Sequence, residues 1–487
     1  MDRRVPSRGA IANLRKKALS APYEMSNAAA RSRWKLPDAY VVILSIAFLA
    51  MVATWIVPAG QYTFLVNPQT KAQQVDPNSF SLVARQPVMP WKFFLYFPLG
   101  LEKAAEVVFL VLLVGGFLQI ISDSGAIEAG LSRLIGALGT RRMLILPILM
   151  TCMSVLGFSG VLANAVVAFI PLGLLLSRRL GLDPICGVAM MYLGCYSGFA
   201  PSAMCPATTL IAQQIAGVPP MSGFVVRTVV WLATLLATLW YVMRYAAKVT
   251  ADPSRSIHAT FDDELVEARK EAPAFTARHV LTLLSLAGGF ALFGWGASFR
   301  DWSLRDLTAV MMAVGILGGL VSGMTLQAIT GSFIAGCKHL LYSALIVGLA
   351  KSITLIMEDG RIIHTLVHYL SAPLVHLPPM FAAGGMYLMS LVVHLFITSG
   401  SGQAYVTMPI MTPIADIVGL HRQTAVSAYL YGDGFINIVI PTSGVLMSVI
   451  AMSKIPYFKW LKFALPLCGI WILLGAVAIA YSTWFGW

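Results

Sequence analysis

Charge is scarce in this chain. Of its 487 residues only 11% are charged, against 58% that are hydrophobic, and the mean hydropathy is +0.77. So few charged side chains cannot cover the roughly three soluble domains that this length would otherwise suggest. Several apolar runs approach the about 20 residues that a helix needs to cross a bilayer. The sequence therefore excludes soluble, disordered and collagen-like proteins. It predicts an all-α polytopic membrane protein, because the bilayer core offers no water to unpaired backbone groups.

Motifs of catalysis and of metal binding are also missing. The six cysteines include no C-x-x-C pair, so neither a zinc site nor a disulfide framework is indicated. No P-loop, metalloprotease, kinase or nucleophile-elbow motif occurs in a plausible context. We therefore expect no enzyme activity, no hydrolysis of ATP by this chain, and no cofactor other than a coupling ion.

The basic residues indicate topology and not nucleic-acid binding. The net charge is +13, but the basic residues cluster beside apolar runs and not along one face with interleaved aromatics. Residues 1–35 hold nine basic and two acidic side chains. By the positive-inside rule, this predicts a cytoplasmic N-terminus. From the number of predicted crossings, we expect the C-terminus in the periplasm.

Interrupted apolar segments occur in both halves of the chain, in the same order. In each half, a segment broken at a glycine-rich tip precedes a longer one broken by glycine and proline, which is typical of a re-entrant hairpin followed by a broken helix. Residues 115–135 also align with residues 348–370. Since an odd number of crossings separates the two copies, they are predicted to form an inverted repeat.

The predicted organisation follows from these features. It comprises a basic cytoplasmic segment at 1–35, a first membrane repeat at 36–246 (hairpin 143–180, broken helix 184–217), a cytoplasmic linker at 247–278, a connecting span at 279–297, and a second repeat at 306–487 (hairpin 381–417, broken helix 424–453).

Asp433 is the strongest candidate for ion coupling. A carboxylate at membrane depth is costly unless it is paired, protonated or bound to an ion. Asp433 stands between Gly432 and Gly434, and we predict that this triplet, with Ser399 and Asn437, holds H⁺ or Na⁺. A structural role for Asp433, as a cap or as the partner of a buried lysine, stays open at this point.

Lys351 and a set of neutral polar residues are the candidates for substrate binding. The Lys351 ammonium is expected to offset a substrate carboxylate or to pair with Asp433, although a structural lysine is also compatible with the pattern. His394 is either a proton relay or a packing histidine. Freed N–H groups and hydroxyls at broken helices can hold a carboxylate, although such hydroxyls also support helix packing. The neutral candidates are Ser159, Asn164, Ser197, Thr208, Thr398, Ser399, Ser401, Gln403, Asn437, Thr442 and Ser443.

Several segments resemble one family of carriers. They are RWKLPDAYVVIL near the start, AKSI around Lys351, TSGSGQA at 398–404, MPIMTPIADIVGLHRQT at 408–424, and GDGF with IPTSG between 432 and 444. Together they resemble the YfcC family of bacterial inner-membrane carriers, which is allied to the C4-dicarboxylate carriers within the ion transporter superfamily. The resemblance implies an inverted-repeat fold with two re-entrant hairpins and two broken helices, and a homodimer. It implies a site at Thr398, Ser399, Ser401, Gln403, Asp433, Asn437, Thr442 and Ser443.

The resemblance leaves the substrate open. Family members are assigned as arginine/ornithine-type antiporters, whereas the first hairpin tip here, GFSGVLAN at 157–164, lacks the acidic pair of those relatives. This favours a small organic anion, or a neutral or acidic amino acid.

The predicted function is therefore ion-coupled secondary active transport, by symport or antiport. The substrate is expected to be a small carboxylate-bearing metabolite, either an organic anion such as a dicarboxylate or an amino acid, moved across the bacterial inner membrane by alternating access. An arginine/ornithine-type antiporter is the alternative, and an uncoupled channel or sensor and a membrane-embedded enzyme are more remote. The expected partners are the substrate, membrane lipid and a second copy of the chain.

Overall fold

The computed structural model describes residues 39–66, 73–76, 79–127, 129–130, 133, 143–160, 162, 164–258, 275–300 and 302–486. The predicted basic segment at 1–35 lies outside these residues, as do residues 259–274 of the predicted linker.

Helices make up nearly all of the described chain. They are α1 (Ala39–Ile56), α2 (Pro90–Phe93), α3 (Tyr96–Lys103), α4 (Ala105–Asp123), α5 (Ile145–Phe158), α6 (Ile170–Arg179), α7 (Pro184–Val188), α8 (Gly194–Phe199), α9 (Ile211–Ile215), α10 (Phe224–Ala251), α11 (Ala277–Phe299), α12 (Leu304–Ser322), α13 (Leu326–Asp359), α14 (Ile362–Ser371), α15 (Pro379–His394), α16 (Gly400–Ile417), α17 (Arg422–Ile436), α18 (Gly444–Met452) and α19 (Tyr457–Phe485). Turns of 3₁₀-helix cover Asn164–Phe169, Pro253–Arg255 and Ala372–His376, and π-helical turns cover Ala189–Leu193 and Pro206–Leu210.

Six of the described helices are long and apolar enough to cross a membrane: α4, α10, most of α11, α12, α13 and α19. Their apolar side chains face outward as well as inward, and large exposed hydrophobic residues such as Leu236, Leu284 and Leu473 are each at least 60% exposed. Helices that are apolar on all sides are expected where lipid replaces water. The prediction of a helical, multi-pass membrane protein is confirmed.

Other apolar helices are too short to cross a membrane. They include α5, α15 and the run from Pro184 to Phe199, which holds α7, a π-turn and α8. This run stops at Phe199 and helical structure resumes at Pro206; likewise α17 ends at Ile436 and α18 begins at Gly444. Proline has no N–H to donate, and Pro201 and Pro441 lie inside these two gaps. The gaps bring irregular backbone into the interior of the bundle.

Helix α13 lies at the centre of the described packing and contacts α1, α3, α4 and α18. At its crossing with α4, a Cβ added to Gly336 would lie 2.1 Å from the Gly115 carbonyl oxygen, and one added to Gly115 would lie 2.6 Å from that of Gly336. Two facing glycines let the backbones touch, which is the usual way for membrane helices to pack closely.

The described part of the segment between α1 and α2 contains four short strands. Strand β1 (Gly60–Gln61) pairs with β4 (Ser81–Leu82), and β2 (Phe64–Val66) pairs with β3 (Gln73–Val75), both antiparallel. Strand β1 is also fixed to α14, because the Gly60 N–H donates to the Arg361 carbonyl oxygen at 3.0 Å.

Candidate functional site

A polar cavity of about 300 Å³ lies where the helix interruptions meet, and we call it the central cavity. The elements around it come from both halves of the chain, including α3, α8, α13, and the ends of α16, α17 and α18. Its polar and charged lining residues are Lys103, Asn164, Thr208, Lys351, Thr398, Ser399, Ser401, Asp433, Asn437, Thr442 and Ser443.

Two helix N-termini open onto the central cavity. Ser399 caps α16 by accepting a hydrogen bond from the Gly402 N–H at 3.3 Å, and Ser443 caps α18 by accepting one from the Leu446 N–H at 3.3 Å. Each helix start carries unpaired N–H groups and a partial positive charge. Two such ends at one cavity form a binding site suited to a carboxylate.

Two lysines add positive charge to the same wall. Lys351 lies within α13, and Lys103 is the last residue of α3. Asp433 is the carboxylate among the described lining residues, so the two ammonium groups and one carboxylate leave a formal charge of +1. The cavity is therefore electrostatically suited to an anion.

Asp433 is paired with a histidine in the structure. Asp433 is 1% exposed, and its Oδ1 lies 2.8 Å from Nδ1 of His394, which is fully buried. The same Nδ1 lies 2.8 Å from Oε1 of Gln403, whose amide nitrogen donates to the Ser390 carbonyl oxygen at 3.0 Å. Both neighbours of Nδ1 are acceptors, so Nδ1 carries the hydrogen. A pairing of Asp433 with Lys351 was one of the alternatives left open by the sequence. In the described part of the chain the two side chains form no ion pair, and Asp433 pairs with His394 instead.

Two buried hydroxyl oxygens at the central cavity, Thr208 Oγ1 and Thr442 Oγ1, have no hydrogen-bond partner among the described residues. The Asp433 carboxylate, paired with His394, lines the same cavity. Unpaired buried oxygens are costly, and hydroxyl and carboxylate oxygens are the ligands that small hard cations prefer. This donor set therefore fits a small cation or a proton.

The turn between α15 and α16 is held against α17 and against the π-helical turn at Pro206–Leu210. The Tyr429 hydroxyl donates to the Gly400 carbonyl oxygen at 2.7 Å. A Cβ added to Gly400 would lie 2.6 Å from Thr208 Cγ2 and 3.1 Å from Asp433 Oδ2. Only a glycine lets the start of α16 approach both residues so closely.

The two glycines beside Asp433 have packing roles. A Cβ at Gly432 would lie 2.4 Å from Ser390 Cβ, and one at Gly434 would lie 2.6 Å from Ala200 Cα. They let α17 pack between α15 and the gap after α8, and so fix Asp433 beside the cavity.

Three of the predicted substrate-binding residues lie outside the cavity lining, as do Gly432 and Gly434 of the predicted ion site. The Ser159 hydroxyl donates to the Leu156 carbonyl oxygen at 2.8 Å. The Ser197 hydroxyl lies 2.7 Å from the Gly194 carbonyl oxygen and 2.9 Å from the Ser154 hydroxyl, inside the helix packing. The Gln403 side chain contacts His394 through Oε1 and does not line the cavity. Lys103 and the contact of His394 with Asp433 are the features that the sequence analysis missed.

The fold defines a polytopic membrane protein with a polar cavity among its helices. The chain belongs to the DcuC family, described as C4-dicarboxylate anaerobic carriers, whose model matches residues 36–483. The predicted resemblance to the YfcC family is confirmed as well, since the chain is 31% identical over 496 residues to the Escherichia coli K12 protein named "Putative basic amino acid antiporter YfcC", covering 93% of this chain and 98% of that protein. It is a membrane transporter, not an enzyme.

Further similarities are lower. The chain is 26% identical over 502 residues to an uncharacterized protein of Haemophilus influenzae, covering 93% of this chain and 98% of that one. Among solved structures, the YdaH transporter of Alcanivorax borkumensis is 17% identical with a TM-score of 0.41, covering 93% of this chain and 99% of that one. MtrF of Neisseria gonorrhoeae, described with a class of antimetabolite efflux pumps, is 16% identical with a TM-score of 0.40, covering 92% and 96%.

Proposed function

We propose that this protein is an ion-coupled secondary active transporter of a small carboxylate-bearing metabolite. The observation that carries the proposal is the central cavity, where the N-termini of α16 and α18 meet Lys103 and Lys351. Helix N-termini and ammonium groups both attract a carboxylate, and two of each suit an organic anion such as a dicarboxylate, or an amino acid with a net negative charge.

Coupling is assigned to Asp433 and its neighbours. A buried carboxylate and histidine 2.8 Å apart inside a membrane are the groups that proton relays use, so the geometry favours H⁺. Na⁺ is the alternative ion, which Asp433 would hold together with Thr208 and Thr442. In either case the bound cation would reduce the negative charge beside the substrate and so couple the two binding events.

The transport cycle is proposed to be alternating access between two inverted repeats. The hairpins around α5–α6 and α15–α16, together with the helices interrupted at 200–205 and 437–443, would form the moving part. Interrupted helices at the substrate site and rigid-body motion of one bundle are typical of repeat-built carriers.

Location and assembly are proposed on the resemblance and on the charge pattern. The protein would reside in the bacterial inner membrane, with its N-terminus in the cytoplasm and its C-terminus in the periplasm, surrounded by lipid and as a homodimer. Reporter fusions at both ends and cross-linking in membranes test these assignments.

A second candidate is an arginine/ornithine-type antiporter. It is favoured by the 31% identity to the relative whose name describes basic amino acid antiport. A cationic side chain would need a carboxylate in the central cavity, and Asp433 is the one that the described lining offers. Two nearby ammonium groups oppose such a side chain, which is why we rank this candidate second.

The test is uptake by proteoliposomes of a labelled panel: dicarboxylates, tricarboxylates, short-chain acids, and acidic, neutral and basic amino acids. Each is measured with and without imposed Na⁺ and proton gradients. Accumulation of one carboxylate class driven by a gradient supports the main proposal and names the ion. Arginine or ornithine uptake by exchange alone supports the second candidate, and the absence of both gradient-driven uptake and exchange for every compound contradicts both candidates.

A further inference from the structure

A second cavity of about 410 Å³ lies beside the first turns of α16. Helix α16 separates it from the central cavity, because Ser399 and Ser401 line the central cavity while Gly402 and Tyr405 line the second one. Helix α13 also lines both, through Lys351 in the central cavity and residue 358 in the second. Seven residues of α-helix span about 10 Å, so the two cavities are close neighbours along one helix.

Arg361 lines the second cavity in a backbone conformation that arginine rarely adopts. Its φ is +52°, in the left-handed region, whereas eight of the eleven described residues with positive φ are glycines. Glycine would take this conformation at lower cost, so the backbone does not explain why an arginine stands here. A strained non-glycine residue at a cavity points to a role for its side chain.

The guanidinium of Arg361 is oriented but not saturated. Nη1 donates to Gln61 Oε1 at 2.8 Å, and β1 holds the backbone of Arg361 through the Gly60 N–H. A guanidinium has five N–H donors in a planar fork that matches a carboxylate. One hydrogen bond within the described residues fixes its position and leaves donors for a ligand.

Glu358 brings the opposite charge to the same cavity. No ion pair within 4.0 Å joins Glu358 to Arg361 in the described part of the chain, so the two charges do not neutralise each other directly. A cavity that holds a separated cation and anion matches a ligand that carries one charge of each sign.

We propose that the second cavity binds a free α-amino acid, with the carboxylate on Arg361 and the ammonium facing Glu358. We take this amino acid to be the transported substrate, and this part of the inference rests on the proposed function. The second cavity receives the amino acid next to the central cavity, and the start of α16 lines both positions.

The test is equilibrium binding to the purified full-length protein in lipid nanodiscs. The probes are labelled L-glutamate, L-serine and L-arginine, with 2-oxoglutarate and putrescine as ligands that lack the ammonium or the carboxylate. We expect two molecules of at least one amino acid per protomer. The probes that lack one group should bind the second site about tenfold or more weakly, as the loss of a charged hydrogen bond predicts.

Arg361→Gly removes the guanidinium and suits the left-handed backbone, so the variant is expected to fold and to bind one molecule in place of two. Lys454→Gly is the matched control, because Lys454 also has a positive φ of 50° but lies outside the lining of the second cavity. Glu358→Gln keeps Arg361 and should abolish the preference for L-glutamate over 2-oxoglutarate at the second site.

The outcomes separate this inference from the transport proposal. Unchanged stoichiometry in Arg361→Gly overturns the second site, as does the absence of any amino-acid binding. Gradient-driven uptake with a single molecule bound per protomer also overturns it and leaves the transport proposal standing. Two bound molecules without gradient-driven uptake support the second site and contradict the transport proposal.

Discussion

His394 Nδ1 and Asp433 Oδ1 lie 2.8 Å apart, with their side chains only 1% and 2% exposed. The contact joins α15, the helix before the turn that leads into α16, to α17, the helix that stops at Ile436. Water screens charges buried this deeply only weakly, so a charge on either side chain acts strongly on the neighbouring cavity. The contact also ties the packing of the two helices to the wall of that cavity.

Asp433→Asn should abolish coupled uptake while the protein stays folded, because asparagine keeps the shape and removes the charge. We expect the initial rate of gradient-driven uptake in proteoliposomes to fall about tenfold or more. Asp416→Asn is the control, since Asp416 pairs with Arg422 at 2.7 Å on an exposed surface. Unchanged uptake with the same ion dependence in Asp433→Asn would refute the assignment.

Lys351→Gln should weaken substrate binding more than it slows the transport step. Loss of one ammonium from the cavity wall is expected to raise the KM for the carboxylate substrate about tenfold. Lys338→Gln, in the same helix but outside the lining of the central cavity, should leave the KM unchanged. An equal rise in both variants would show that the effect comes from α13 and not from the cavity.

Ser399→Ala and Ser443→Ala each remove a helix cap at the central cavity. Each should cost about 1 kcal/mol of helix stability and also lower substrate affinity, because the N-terminal N–H groups lose their alignment. Thr325→Ala removes the equivalent cap of α13, where the hydroxyl accepts from the Ala328 N–H at 3.2 Å. The temperature of thermal unfolding should fall by a similar amount in all three variants, and substrate binding should weaken only in the two serine variants. Normal affinity in both serine variants would exclude the helix ends as the carboxylate site.

Gly400→Ala should block transport by steric means. The added methyl would lie 2.6 Å from Thr208 Cγ2 and 3.1 Å from Asp433 Oδ2, forcing the tip of the turn between α15 and α16 away from both. Gly384→Ala, in α15 on the other side of this turn, meets no atom within 4 Å and is the control. We expect uptake to fall by about tenfold or more only in Gly400→Ala. Full activity in that variant would mean that the tip does not need to approach Asp433.

The class of protein could be predicted from sequence because it depends on bulk properties. Long apolar runs and scarce charge dictate helices in a membrane, and the structure contains such helices. The interruptions of the apolar segments could also be predicted, because glycine and proline affect the backbone conformation at their own positions. Segments around Lys351 and Asp433 were enough to identify the family.

Contacts between distant segments could not be predicted in the same way. Lys103 comes directly before an apolar run, where a lysine usually reaches toward the membrane surface, and nothing in the local sequence shows that it lines a cavity. His394 and Asp433 are 39 residues apart in two helices, and only packing brings them together. Ser159 and Ser197 stand next to glycines at predicted breaks, yet their hydroxyls bond to neighbouring backbone or packing groups.

The uninterrupted length of α13 has a consequence for how the protein sits in its bilayer. Its 34 residues extend about 51 Å, well beyond the about 30 Å of a hydrocarbon core. The helix must lean steeply or emerge into the headgroup layer, and the residues of both cavities along it therefore sit at depths set by that lean. The acyl-chain length of the lipids should therefore affect transport. Vesicles with a thinner or thicker bilayer should change the flux even when protein, substrate and gradients are identical.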